Sequence, residues 1–365
     1  HHYLKFCHDM CQEDPLMGDQ PPAAKDYFLA CYTVSLVQGE TILGIPIRYT
    51  TIKKYLTAAY DLFDKSVAYE SEHKFVEIIL KSVKDYEDVP KRRRMITDKM
   101  MQWLITKAKQ SGPDSSTRAI VDWILLGRYT GFRASEWSQT SQTSYSRLDH
   151  PGSPSRAFIR LDFGFLGENK ERLTSGEVSE RLIKYLVIIW RHQKNGNNGE
   201  KITFADDTVS PSYSATRAGC RIYQRSLRLG MKDTEPMAVF KNGRGHTKFI
   251  TDALVNSLLR EAASTTLNLK QGHPELQLWS THSIRVTAAN LLYRKQLSDN
   301  YIMTRLRWIS NAFLVYLRNT VHSADEHSKA ASIKLSSADM QTASYCNMEP
   351  VEQVVQACVL PVAAA

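Results

Sequence analysis

The chain has 365 residues, 42% of them hydrophobic and 23% charged, with a net charge of +9. That length supports two domains with real cores, the composition is that of a globular chain, and no apolar run is long enough to span a bilayer. The basic excess points to a polyanionic partner, nucleic acid above all. Cys7, Cys11, Cys31, Cys220, Cys346 and Cys358 are scattered without a CxxC pair, which fits the reduced thiols of an intracellular protein. Cys7 and Cys11 lie near His1, His2 and His8, but no second ligand pair follows. No metal and no cofactor are expected. The first residues carry no secretory signal pattern, and a start at His1 rather than Met leaves open that the chain is a fragment.

Residues 1–23 contain EDPLMGDQPP and read as a turn-rich lead-in. Residues 24–90 show helical periodicity, clearest in TTIKKYLTAAYDLFDKSVAY with Ile52, Leu56, Ala59, Tyr60 and Phe63 on one face. Thr50 and Thr51 are the expected caps. Lys53 and Lys54 then fall in a first turn, where the helix dipole disfavours cations and a bound anion would offset this; a solvated basic face fits equally. Pro90 breaks the pattern, and Lys91, Arg92, Arg93 and Arg94 open a linker over 91–96. Such a run suits a strap across a phosphate backbone, or simply a soluble connection.

A mixed α/β domain is expected over 97–330, with Thr97 or Asp98 capping its first helix. STRAIVDWILLGRYTGF reads as a buried helix stopped by Gly131, AFIRLDFGF as a strand, and YLVIIWRHQKNGNNGEKITF as a hairpin around an Asn/Gly turn. Helical patterns follow at about 209–229, 247–263, 282–295, 299–306 and 310–319, and residues 331–365 read as a tail. The expected fold is mainly α with a small antiparallel sheet.

Four stretches carry candidate chemistry. In TGFRASEW, Arg133 and Glu136 share a helix face, so the carboxylate can hold the guanidinium. In WRHQKNGNNGEK, Lys194 sits where strand gives way to turn. In THSIRVTAANLL, His282 and Arg285 lie one turn apart, beside a buried stripe of Ile284, Ala288 and Leu291. In RWISNAFLVYLRNT, Trp308 precedes Tyr316 by eight residues, and Phe313, Leu314 and Leu317 continue an apolar surface. Taken alone, each has a plain structural reading: an ion pair, a loop lysine, a packed tyrosine. Attack of a phenol on a phosphodiester needs such a set together. Two guanidinium forks bind the non-bridging oxygens. A histidine assists a phenol with a free pKa near ~10. A lysine protonates the leaving oxygen, an indole N–H adds a donor, and the product is a covalent phosphotyrosine.

TGFRASE, the hairpin lysine, HSIR and RWISNAFLVYLRN occur in this order, and together they resemble the tyrosine recombinase, or phage integrase, family. The last stretch and the WRxQKNGxNGE hairpin are similar to recombinases of eukaryotic Crypton-type mobile elements. The resemblance spans about 97–322. It implies a helical core-binding domain and an α/β catalytic domain that clamp double-stranded DNA, a 3′-phosphotyrosine intermediate, and a homotetramer on two DNA sites. It implies Arg133 and Arg285 as phosphate-binding arginines, Lys194 as the hairpin lysine, His282 and Trp308 as the accompanying pair, Tyr316 as the nucleophile and Glu136 as an acidic support. The Trp308–Tyr316 spacing is one shorter than usual in bacterial members. The long interval between Arg133 and Lys194 keeps Lys170 and Lys201 as rivals for the lysine. Other readings are a recombinase-derived protein that binds DNA without cutting it, and a type IB topoisomerase, which HSIR and RWISNAF resemble less. A DNA-associated location follows, nuclear in a eukaryotic host.

Overall fold

The computed structural model describes residues 1–40, 44–63, 74–86, 92–138, 156–193, 196–310 and 314–317, with the side chains of Val315 and Tyr316 outside that set. The chain divides into two compact units, His1–Lys91 and Arg92–Ala365.

The first unit holds α1 (His2–Asp9), α2 (Pro22–Gln38), α3 (Tyr49–Phe63) and α4 (Lys74–Tyr86). Proline begins α2, where its missing N–H is not needed, and Gly39 ends it at φ 81°. Tyr3, Cys7, Leu29, Tyr32, Leu36, Ile52, Leu56 and Val76 form the core. The expected lead-in therefore opens with a helix that buries Tyr3 and Cys7; the turn signals begin only after it. A second difference concerns α3, which starts at Tyr49, ahead of the expected threonine caps. Lys53 and Lys54 consequently sit in its second turn, exposed, with the Lys53 Nζ 5.8 Å from the Tyr49 ring. The dipole acts within the first turn, so the argument for an anion at that helix start lapses.

The second unit runs α5 (Asp98–Lys109), α6 (Ser116–Thr130), α7 (Ala134–Trp137), β1 (Phe163–Leu166), β2 (Tyr185–Trp190) and β3 (Glu200–Ala205). It continues with α8 (Ala215–Arg228), β4 (Val239–Lys241), β5 (Thr247–Phe249), α9 (Asp252–Leu267), α10 (Thr281–Arg294) and α11 (Asp299–Leu306), and ends in the helical turn α12 (Leu314–Leu317). Hydroxyl caps start α5, α6, α8, α9 and α11: Thr97, Ser115, Ser214, Thr251 and Ser298 each accept a backbone N–H of the first turn. β1, β2 and β3 form an antiparallel sheet in chain order, and β4 pairs with β5 in a separate ribbon. The fold class is thus the expected one, helical with small antiparallel sheets. The strand expected over AFIRLDFGF starts only at Phe163, because Arg160–Asp162 form a 3-10 turn in which the Asp162 Oδ2 accepts the Ile159 N–H at 2.9 Å. The helix expected from 247 gives way to β5 before α9 begins.

Buried α6 is the axis of this unit. Its Trp123 stacks on Trp137 at 5.1 Å, and its Asp122 pairs with Arg221 and Arg225 of α8 at 2.6 and 2.5 Å. α6 also packs against α10. Beyond that contact, Ala288 and Ala289 of α10, Ile302 and Leu306 of α11 and Leu317 of α12 close a smaller apolar core, which ties the turn containing Tyr316 to the helix that carries His282 and Arg285.

Candidate functional site

Gly131 ends α6 in the left-handed region, φ 55°, as a glycine just past a helix does. The chain then reverses and delivers Arg133 to the start of α7. Glu136 is buried there, and its Oε2 accepts the Arg133 backbone N–H at 2.9 Å. Its Oε1 accepts from the Arg133 Nη1 at 3.1 Å. The pairing expected from spacing is present, and the Arg133 side chain keeps 27% of its surface accessible.

α10 brings the second arginine to the same place. Arg285 is 5% exposed, so it does not lie on an open helix face as the sequence pattern suggests. Its Nη1 donates to the carbonyl of Gly131, two residues before Arg133. Its guanidinium carbon lies 4.0 Å from the centre of the Trp308 ring, an arrangement that favours a fixed, planar cation. One turn earlier, His282 is exposed. Crowding of protein around its ring, and then the charges of Arg285 and Arg93, hold it below the usual imidazole range. It is therefore neutral at pH 7 and able to take a proton.

The structure brings together Arg133, Glu136, His282, Arg285 and Trp308. Lys194 and Lys91 lie outside the described residues. Tyr316 falls in α12, and its side chain is not described. The hairpin residue before Lys194 is fixed: the Gln193 Nε2 donates to the Glu200 Oε2 at 2.9 Å and its backbone N–H to the Asn198 Oδ1 at 2.7 Å. The rivals Lys170 and Lys201 are both exposed, Lys170 in a turn at φ 63° and Lys201 on β3 opposite Ile189. The basic run is not a free strap. Arg93 donates to the carbonyl of Gln277, and Arg94 pairs with Glu275 at 2.9 Å and lies over the Trp279 ring. Both are exposed and held against the second unit, with Arg93 near enough to His282 to depress its pKa.

Two features were not foreseen. Arg307 enters the site from the turn after α11, and nothing in RWISNAF signals a buried arginine. The β4–β5 ribbon carries Lys241, Arg244, His246 and Lys248, all exposed. Its tip, FKNGRGHTKF, holds an Asn-Gly pair flanked by alternating residues, the signal that would have found it.

No family profile and no curated protein matches the chain. Among solved structures it is similar to the XerH site-specific recombinase bound to palindromic difH substrate, with 15% identity, a TM-score of 0.47, and 87% of this chain and 73% of that one covered. It is also similar to the lambda integrase dimer bound to a COC′ core site, with 14% identity, a TM-score of 0.44 and 86% of each chain covered. A third is the Tn1549 transposon integrase in complex with circular intermediate DNA, with 15% identity, a TM-score of 0.42 and coverage of 83% and 84%. Likeness at this level concerns the course of the chain and not its chemistry.

Proposed function

We propose that this chain cuts and rejoins DNA strands through a covalent 3′-phosphotyrosine link, with Tyr316 as the nucleophile. The observation that carries the reading is the meeting of three distant stretches. Gly131 and Arg133 follow α6, Arg285 comes from α10 and Trp308 from the turn after α11, and Arg285 touches both of the others. A buried cation fixed beside a partly exposed one is what the non-bridging oxygens of a phosphodiester require as charge builds on them.

In this reading the Tyr316 oxygen attacks phosphorus and the bond to the 5′ oxygen breaks. The phenolic proton passes to neutral His282. The leaving 5′ oxygen takes a proton from Lys194 and departs as a hydroxyl. The phosphate stays on the tyrosine, so bond energy is kept, and attack by a 5′ hydroxyl reverses each transfer. Exchange between strands implies four copies on two duplexes, and in a eukaryotic host a nuclear location.

The test is covalent trapping. The full chain is incubated with labelled, nicked duplexes tiled from the DNA flanking its own reading frame, with Tyr316→Phe alongside, and run on a denaturing gel. An adduct formed by the native chain and lost in Tyr316→Phe is the expected result. Tight DNA binding with no adduct on any duplex would replace this reading with DNA binding alone.

A further inference from the structure

Arg307 occupies a backbone position suited to glycine. It closes α11 at φ 58° and ψ 52°, a left-handed conformation that long side chains rarely adopt. An arginine at a helix end ordinarily sends its head group into water, yet none of this side chain is accessible. Its guanidinium is aimed inward instead. Nη2 donates to the Glu136 Oε2 at 3.2 Å and Nη1 to the Oε1 at 3.3 Å, a two-pronged grip on one carboxylate. Nη1 also reaches the Gln193 Oε1 at 3.4 Å, and the guanidinium carbon lies 4.0 Å from the centre of the Trp190 ring. Gln193 and Trp190 belong to the β2–β3 hairpin, and Lys194 is the next residue along it.

The carboxylate held by Arg307 is the one that holds Arg133. A buried carboxylate beside a single, partly exposed arginine is free to turn or to take up a proton; a second, enclosed guanidinium prevents both. The neighbouring residue, Trp308, stacks on Arg285. One short turn therefore grips both arginines, Arg133 through Glu136 and Arg285 directly.

We propose that Arg307 is a positioning residue for strand cleavage, holding the Glu136 carboxylate so that Arg133 is presented to the scissile phosphate in register with the hairpin. The inference rests on the reading of Tyr316 as a DNA-cleaving nucleophile. Glycine would suit the backbone at this position, and what arginine adds is the fork.

The charge relations give a readout that simple loss of stability would not produce. Glu136 faces Arg133 on its own segment, Arg307 on the turn after α11 and neutral Gln193 on the hairpin, with Glu200 of β3 near Arg307. Burial pushes the Glu136 carboxyl up, and Arg307 and then Arg133 bring it down to below its ordinary value. It stays ionised through the neutral range. Without Arg307, burial is opposed by Arg133 alone, and the carboxyl rises toward neutrality.

The experiment measures single-turnover adduct formation on the nicked duplexes between pH 5.5 and 9, at saturating protein, for the native chain, Arg307→Gly, Arg307→Lys, Glu136→Gln and the double variant Arg307→Gly/Glu136→Gln, with melting curves alongside. Arg307→Gly is expected to form adduct about 10²-fold more slowly at pH 6, the size typical of a misplaced donor to the transition state, and to recover as pH rises. The native chain shows only the acid limb set by His282. The added limb disappears in the double variant, which is slow and keeps only the limb of His282. Arg307→Lys, which keeps the charge and loses the fork, has its limb at lower pH than Arg307→Gly, and it decides the matter if the glycine variant does not fold. Native rate and native pH profile in a folded Arg307→Gly would overturn the positioning role and leave the nucleophile in place. A uniform loss with no limb beyond that of His282 would also overturn it. No adduct from the native chain on any duplex would overturn both readings together.

Discussion

In the proposed reaction His282 takes the phenolic proton, and its surroundings hold it below the ordinary imidazole range. Crowding, Arg285 and Arg93 all lower its pKa. Of the two charges that lower it, Arg93 can be changed without touching Arg133 or Arg285. Replacing it with glutamine removes one facing cation, so the His282 pKa rises and the fraction neutral at pH 6 falls. The expected result is an upward displacement of the His282 ring titration followed by NMR, and an acid limb of adduct formation displaced in the same direction. An unmoved titration would mean that crowding and Arg285 alone set the charge. At this scale the Arg133–Glu136 pair was legible from its three-residue separation, although the two meet across a helix start, with Arg133 the cap and Glu136 the third residue of α7. Arg307 was not. Its role depends on a left-handed backbone turn and on a hairpin more than a hundred residues away, and neither leaves a local mark.

Between elements, the placement of Arg285 depends on how closely α10 crosses α6. Gly127 makes that approach possible. A methyl group built on it would lie 2.4 Å from the Ile284 Cγ2 and 3.0 Å from the Phe132 ring, and both side chains are essentially buried. Overpacking of this kind costs about 1–3 kcal/mol, and the better helix propensity of alanine offsets about 0.8–1 kcal/mol. Gly127→Ala is thus expected to lower the melting temperature, by about 2–4 °C per kcal/mol of net loss in a domain of this size class. It should slow the proposed cleavage by more than that loss explains, because α10 must retreat and carry Arg285 away from the Gly131 carbonyl. A melting temperature at or above the native one would show that Ile284 repacks freely. The helices that position the site were legible from periodicity and hydroxyl caps, and the β2–β3 hairpin from its Asn/Gly turn. β4–β5 was missed because its second strand is a three-residue segment that ends only two residues before α9, too short to set a period of its own against the helical pattern that follows Thr251.

For the molecule as a whole, the net charge of +9 matters by where it is displayed. Much of the basic character of the second unit is neutralised internally, as along α8, where Arg217, Arg221, Arg225 and Arg228 all have carboxylate partners. The β4–β5 ribbon differs. From Pro236 to Thr251 it contains no acidic residue, and Lys241, Arg244 and Lys248 are exposed along it. It leads within three residues into α9, whose Asn256 Oδ1 accepts the Thr281 backbone N–H at 2.8 Å, next to His282. Under the proposed function, a cationic ribbon joined in this way to the start of α10 is suited to the phosphates flanking the bond to be cut. Each phosphate neutralised on duplex DNA contributes about 0.9 to the slope of log affinity against log salt. Replacing Lys241, Arg244 and Lys248 together with glutamine should therefore reduce that slope by up to about 2.7, measured by fluorescence anisotropy on a random-sequence duplex. The loss of affinity should be largest at low salt and should shrink as salt rises. A slope equal to the native one would remove the ribbon from the DNA-facing surface and leave the phosphate contacts to Arg133, Arg285 and the exposed arginines of the 92–94 segment.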